Sequence, residues 1–235
     1  MSRRLLPALL LLTLPTLASA QTRPGIRPVQ PSRSFLGIGG VMAVPRGEFG
    51  SYVGNGGGFG FDVLAGLDHA GALQLRVEGG FLRYGNEQRT SCLGTCRIMV
   101  RVNTSNNIFT FGVGPQLMLL PPGPIRPYVT GTVGVGYFFT QSSMQGTHDT
   151  TPFAETKNFD DVSLALTGGG GLQVRLRDGA RPILLDIGAR YHRNGETSYL
   201  REGSITDNPD GTITISPIRS QANFLALQLG VRFGI

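Results

Sequence analysis

The closing stretch Ala222–Ile235, ANFLALQLGVRFGI, alternates with period two almost without a break. Leu225, Leu227, Leu229, Val231, Phe233 and Ile235 fall on one face, and Phe224, Ala226, Gln228, Gly230, Arg232 and Gly234 on the other. Successive side chains of a strand point to opposite faces, so the pattern specifies a β-strand with one face in an apolar medium and the other in a polar one. A helix would scatter the same residues around its axis.

Composition extends this reading to the whole chain. Charged residues make up 15% of the 235 residues, and 35 positions are glycine. An ordinary soluble domain carries about 25% charge, so little polar surface is available here to face water. Past the first segment no run approaches the roughly 18 apolar residues of a spanning helix. An apolar chain without helical spans points to a transmembrane barrel, because only helices and closed barrels satisfy their backbone groups in lipid.

Met1–Ala20 has Arg3 and Arg4, then an apolar stretch from Leu5 to Leu17, then Ala18-Ser19-Ala20. This is the layout of a secretory signal peptide cut after Ala20. Residues 21–33, rich in Pro and Arg and without periodicity, read as a flexible periplasmic lead-in, and residues 34–235 as one barrel domain. Removing Arg3 and Arg4 from the 21 basic residues leaves 19 against 15 acidic ones, a mature charge of +4. The basic residues are dispersed, which argues against nucleic acid as a partner and suits proximity to a lipopolysaccharide leaflet. Cys92 and Cys96, in SCLGTCR, have the spacing of a small disulfide ring in an exported loop. A metal pair would want more His or Cys nearby.

The same alternation predicts seven further strands: Ser34–Val44, Gly58–Leu67, Ala72–Tyr84, Asn107–Leu120, Tyr128–Thr140, Asp161–Arg177 and Pro182–Arg193. In the first, the heavier set Leu36, Ile38, Met42 and Val44 is taken as outward. Pro115 lacks a ladder donor and predicts a bulge or distortion in the fourth. Short turns at Asp68–Gly71, Pro121–Pro127 and Arg177–Arg181 alternate with long polar loops at Pro45–Gly57, Gly85–Asn106, Gln141–Asp160 and Asn194–Ser220. The expected fold is all-β: an eight-stranded antiparallel transmembrane up-and-down β-barrel, turns to the periplasm and loops to the exterior.

The outward aromatics Phe59, Phe61, Phe81, Phe109, Phe111, Tyr137, Phe139 and Tyr191 all fall at the loop ends of their strands, as an interfacial girdle would. The inward positions receive Asp62, Arg76, Glu78, Arg175, Asp186, Arg190 and Arg232. A slip of one residue would send these groups into lipid, at about 2–4 kcal/mol for a midplane Arg. An eight-stranded lumen is narrow enough for side chains to fill, and buried charges persist when paired. Strand adjacency and height predict Asp62 with Arg76, Asp186 with Arg175 or Arg232, and Glu78 with Arg190 across the lumen. The cluster reads as a polar plug, with a conduction path as the alternative.

With RPYVTGTVGVGYF at Arg126–Phe138 and ALQLGVRFGI at the end, the chain over Ser34–Ile235 resembles the small eight-stranded outer-membrane barrels of the OmpA/OmpX and opacity-like type. The resemblance implies an outer-membrane location and folding by the barrel-assembly machinery. Members commonly end on an aromatic residue. Here the last residue is Ile235, so the assembly signal is expected at Phe233 together with Ile235.

No catalytic constellation accompanies these features, and no enzyme activity, metal or cofactor is expected. His69, His148 and His192 are scattered, and the inward parity of His192 turns it away from the lipid on which a barrel deacylase would act. GNGGGFG at Gly54–Gly60 and the run Gly168–Gly171 precede no helix, so close strand packing accounts for them better than a phosphate cradle. A lipocalin-like soluble barrel would need the reverse polarity. The expected role is that of a monomeric structural or surface-interaction protein with long extracellular loops, in contact with outer-membrane lipid and lipopolysaccharide; the alternative is a narrow channel or small-solute transport protein.

Overall fold

The computed structural model describes residues 33–93, 98–147, 149, 151–208 and 212–235. The leader at 1–20, all of the lead-in but Arg33, Cys96 and His148 lie outside the described residues. In chain order the elements are β1 (Ser34–Pro45), the short helix α1 (Gly47–Tyr52), β2 (Gly56–Gly66), β3 (Leu73–Leu93), β4 (Ile98–Met118), β5 (Ile125–Gly146), β6 (Ala154–Arg177) and β7 (Ile183–Asn194). They continue with β8 (Glu196–Tyr199), β9 (Ile205–Asp207), β10 (Ile213–Ile215), β11 (Ile218–Gln221) and β12 (Phe224–Gly234).

Seven sequential strands and β12 close a ring in the order β1-β12-β7-β6-β5-β4-β3-β2, every neighbour antiparallel. Closure removes the free edges of the barrel wall itself. Polarity is inverted relative to a protein dissolved in water: Ile38, Val133, Leu164 and Leu229 each expose more than half of their surface on the outer wall, while Arg76 is 0% and Arg232 1% exposed inside. An apolar wall around a polar interior is the chemistry of a transmembrane barrel. Leu36, Ile38 and Met42 of β1 face outward, with Phe35 and Ala43 buried.

Two hairpins extend well past the predicted strands. Within Gly85–Asn106, read from sequence as a loop, residues 85–93 and 98–106 continue the β3–β4 ladder as far as the Leu93–Ile98 pair. Within Gln141–Asp160, residues 141–146 likewise continue β5 and residues 154–160 continue β6. Polar side chains occupy most positions of these extensions, so apolar alternation stops although backbone pairing does not. Each ladder slips where its extension starts, between Arg83 and Gly85 and between Thr140 and Gln141. Gly85, Asn106 and Thr140 lie on one row of paired residues, and Thr140 Oγ1 donates to Asn106 Oδ1 at 2.6 Å. A bulge re-aims a side chain and increases twist; here the extra residue on β3 is Tyr84, buried in the barrel mouth.

The distortion expected at Pro115 is a gap in the ladder rather than a bulge. The β4–β5 ladder omits the pairs between Val113–Val133 and Gln116–Thr130 and resumes in the same register. The Pro115 carbonyl accepts instead from Thr130 Oγ1 at 3.1 Å.

Candidate functional site

The interior is layered along the barrel axis. Nearest the turns is a small apolar cluster of Phe35, Leu64 and Leu184. Above it lies an ionic layer, and at the loop end an aromatic one.

The ionic layer is a single chain of ion pairs. Asp186 Oδ1 is 3.0 Å from Arg232 Nη1. Arg232 Nε donates to Asp62 Oδ2 at 3.0 Å, and Arg76 Nη2 donates to Asp62 Oδ1 at 3.2 Å. Arg76 Nε donates to Glu78 Oε2 at 2.6 Å, and Arg190 Nη1 reaches the same Glu78 oxygen from across the lumen. Asp186 and Arg190 both stand on β7, so the chain leaves that strand, passes over β12, β2 and β3, and returns to it. Three guanidiniums face three carboxylates, and every internal member touches two opposite charges, which is how buried ions become tolerable. Neutral partners join the layer: Arg76 Nη1 donates to Gln116 Oε1 at 2.8 Å, Gln116 Nε2 to Gln74 Oε1 at 3.0 Å, and Thr132 Oγ1 to Glu78 Oε1 at 2.9 Å. The Arg232 guanidinium sits 5.3 Å from the Tyr128 ring centre.

Glycines make room for these side chains. Gly37 of β1 lies between Arg232 and Asp62 on the neighbouring strands, and a Cβ there would stand 2.8 Å from Asp62 Oδ1. In the Gly168–Gly171 run, Gly169 gives way to the Arg190 stem and Gly171 to the Tyr128 hydroxyl.

Arg175 is a correction. Its parity is inward, but it does not join the chain. The residue that β6 sets opposite Asp186 is Gln173; Arg175 pairs with Leu184, nearer the turn, beside a register shift at Arg175/Arg177. From there its Nη1 meets Asp178 Oδ1 of the turn at 3.0 Å.

The loop-end layer was not legible as a unit. Phe49 of α1 inserts into the mouth, 1% exposed, with ring centres of Tyr199 at 4.9 Å, Tyr84 at 5.4 Å and Phe138 at 6.3 Å. Edge-on aromatic pairs contribute about 0.5–1.5 kcal/mol each beyond their burial. Tyr84 also donates to the Leu200 carbonyl at 2.9 Å. The available signal was the apolar character of inward positions near strand ends, Phe138 and Phe224 among them; Phe49 and Tyr199 come from predicted loops and carried none. Between the ionic and aromatic layers His192 stacks on Phe224, centres 4.4 Å apart, with its Nδ1 3.0 Å from Thr167 Oγ1. A cavity of about 30 Å³ beside it is large enough for a water or two.

Outside, Phe59, Phe81, Phe109 and Tyr137 lie on one row across β2 to β5. Phe59 stacks on Phe81 at 5.7 Å, and Tyr137 on Phe139 at 5.2 Å. Phe61 and Phe111 stand on the next row toward the turns. Tyr191 is apart on β7, paired with Gly168 and Leu225, so the aromatic belt is concentrated on one side of the barrel. Phe233 and Ile235 face outward at the turn end, where the Ile235 N–H donates to the Ser34 carbonyl at 3.0 Å. Cys92 lies near the tip of β3 opposite Met99; the Cys92–Cys96 pairing involves a residue outside those described.

In the short turn between β2 and β3, Asp68 accepts from the Leu73 and Ala72 N–H groups at 3.0 and 3.2 Å. These backbone donors, Leu73 first, hold its carboxyl below the usual range.

No family model matches the chain, and no curated protein matches it. Among solved structures it is similar to Neisserial surface protein A at 16% identity, over 87% of this chain and 98% of that one, with a TM-score of 0.45. It is also similar to Ail, the attachment invasion locus protein of Yersinia pestis, at 13% identity over 87% and 99%, TM-score 0.44. A further likeness is to the N-terminal β-barrel domain of Pseudomonas aeruginosa OprF, at 14% identity over 87% and 98%, TM-score 0.34. The assignment of the fold rests on the strand pairing described above.

Proposed function

We propose that the chain is an outer-membrane protein of a Gram-negative-type bacterium with a closed lumen and a structural or surface-interaction role. The observation that carries this reading is the ion-pair chain Asp186–Arg232–Asp62–Arg76–Glu78–Arg190 inside an apolar wall: charge that would serve passing solutes is taken up by neighbouring side chains. The aromatic layer around Phe49 supports a second seal at the loop end. The extended hairpins carry polar side chains beyond the aromatic belt, where they would meet lipopolysaccharide and the surroundings. The protein acts as a monomer without enzymatic activity. It reaches the membrane after cleavage following Ala20, and the assembly machinery recognises Phe233 and Ile235. An oxidised Cys92–Cys96 ring closes the tip of the β3–β4 hairpin.

Reconstitution in planar bilayers tests this directly. The purified barrel should partition into detergent, shift its gel mobility on heating, and show no steady conductance. Conductance that changes with substitution at Arg76 or Arg190 would replace this reading with that of a narrow channel.

A further inference from the structure

At the turn end the barrel opens into a chamber of about 570 Å³, lined among others by Arg33, Arg126, Arg175, His69 and Asp178. Phe35 and Leu184 line it too, and with Leu64 they form the apolar layer between this chamber and the ionic one. The volume is that of a small-molecule site.

Arg126 is the anomaly in it. The residue is 7% exposed, at the rim of the interior rather than in the ionic layer. Among the described residues its polar contact is one hydrogen bond, from Nη2 to the Gly71 carbonyl at 3.2 Å, and its Nε is buried without a partner there. Arg76, Arg190 and Arg232 each hold a carboxylate. Among the described residues Arg126 has none. Arg175 is turned to the exposed Asp178 and stands close enough to Arg126 to repel it. The stretch before β1 supplies no remedy, since residues 21–33 contain Arg23, Arg27 and Arg33 and neither Asp nor Glu. A buried cation without a countercharge is costly, and the chamber lining sets three guanidiniums, that of Arg126 buried, against the one carboxylate of Asp178.

We propose that the turn-end chamber binds a phosphate group, seated on Arg126 and flanked by Arg175 and Arg33. A dianion balances the excess that a single carboxylate ligand would leave half met. The planar guanidinium fork matches two oxyanion oxygens at once. The group is carried either by a free phosphate compound or by a lipid headgroup at the rim.

The test uses the full barrel in maltoside micelles, which contain no phosphate. One arm titrates inorganic phosphate and the other dihexanoyl phosphatidic acid, with binding read from phosphorus line widths and from the unfolding midpoint. Each variant is first shown to be folded by heat-dependent gel mobility. Saturable binding is expected, weakened about tenfold or more by Arg126→Gln and to a smaller degree by Arg175→Gln, with Arg126→Lys retaining part of it. Saturation by inorganic phosphate assigns a free ligand, and saturation by phosphatidic acid alone assigns a headgroup. Should Arg126→Gln not fold, the half-exposed Arg175 carries the comparison through Arg175→Gln. Absence of saturable binding in both arms, or binding that these substitutions leave unchanged, overturns the proposal.

Discussion

Gly37 and Asp62 are paired across the β1–β2 ladder, and the missing side chain at Gly37 is what lets Asp62 reach Arg232 on the far side of β1. A Cβ at Gly37 would stand 2.8 Å from Asp62 Oδ1 and 3.0 Å from Arg232 Cγ. Gly37→Val should therefore destabilise the barrel by about 1–3 kcal/mol through overpacking, and more if the ion pair is lost. Gly40→Ala, where the added atom meets nothing within 4 Å, is the control. Urea midpoints of the folded, heat-sensitive gel band would compare them; equal midpoints for the two variants would remove the role assigned to Gly37.

The ion-pair chain predicts an order of effects. Arg232 sits between Asp62 and Asp186, so Arg232→Met leaves buried Asp186 without its cation and Asp62 with Arg76 alone, and should cost about 3–5 kcal/mol. Asp186 ends the chain, and Asp186→Asn leaves Arg232 on Asp62, with a smaller loss of about 1–3 kcal/mol. Equilibrium unfolding from lipid vesicles measures both, and the reverse order is incompatible with a linear chain.

Phe49→Ala empties the centre of the loop-end cluster and should cost about 3–5 kcal/mol. Conductance should remain absent, because the ionic layer lies beneath it. A steady current in the Phe49→Ala protein would show that α1, rather than the charges, closes the lumen.

Adjacent residues of β12 should respond in opposite ways. Leu229 is 59% exposed on the outer wall, and Gln228 is buried inside with an unpartnered Oε1. Leu229→Arg places a charge against lipid, at about 2–4 kcal/mol near the midplane, whereas Gln228→Met should be close to neutral. Refolding yield into vesicles separates them; similar yields would contradict the register.

The Asp68 turn contributes a pH dependence. Its carboxyl lies below its ordinary value of 3.8, so the stabilisation is fully present above that value and disappears as pH falls through the lower, folded-state value. Wild type and Asp68→Ala should differ at pH 7 and converge in stronger acid. A difference that persisted there would have to come from something other than the carboxylate.

Period-two alternation alone determined the eight barrel strands, their inward and outward faces and the three tight turns. It could do so because a strand between lipid and a polar lumen must change polarity at every residue. The same rule is silent where polar side chains fall on both faces, which is why the extensions of β3 to β6 looked like loops. Ion-pair partners were legible where strands are adjacent, as for Asp62 and Arg76. Arg175 escaped because parity gives a face but not a height, and the register shift near the turn sets the height. The aromatic layer and the solitary Arg126 belong to tertiary structure alone. Phe49, Tyr84, Phe138 and Tyr199 are brought together only by closure of the barrel and the inward placement of α1 and β8. No local pattern in the sequence reports which cation closure will leave without an acid.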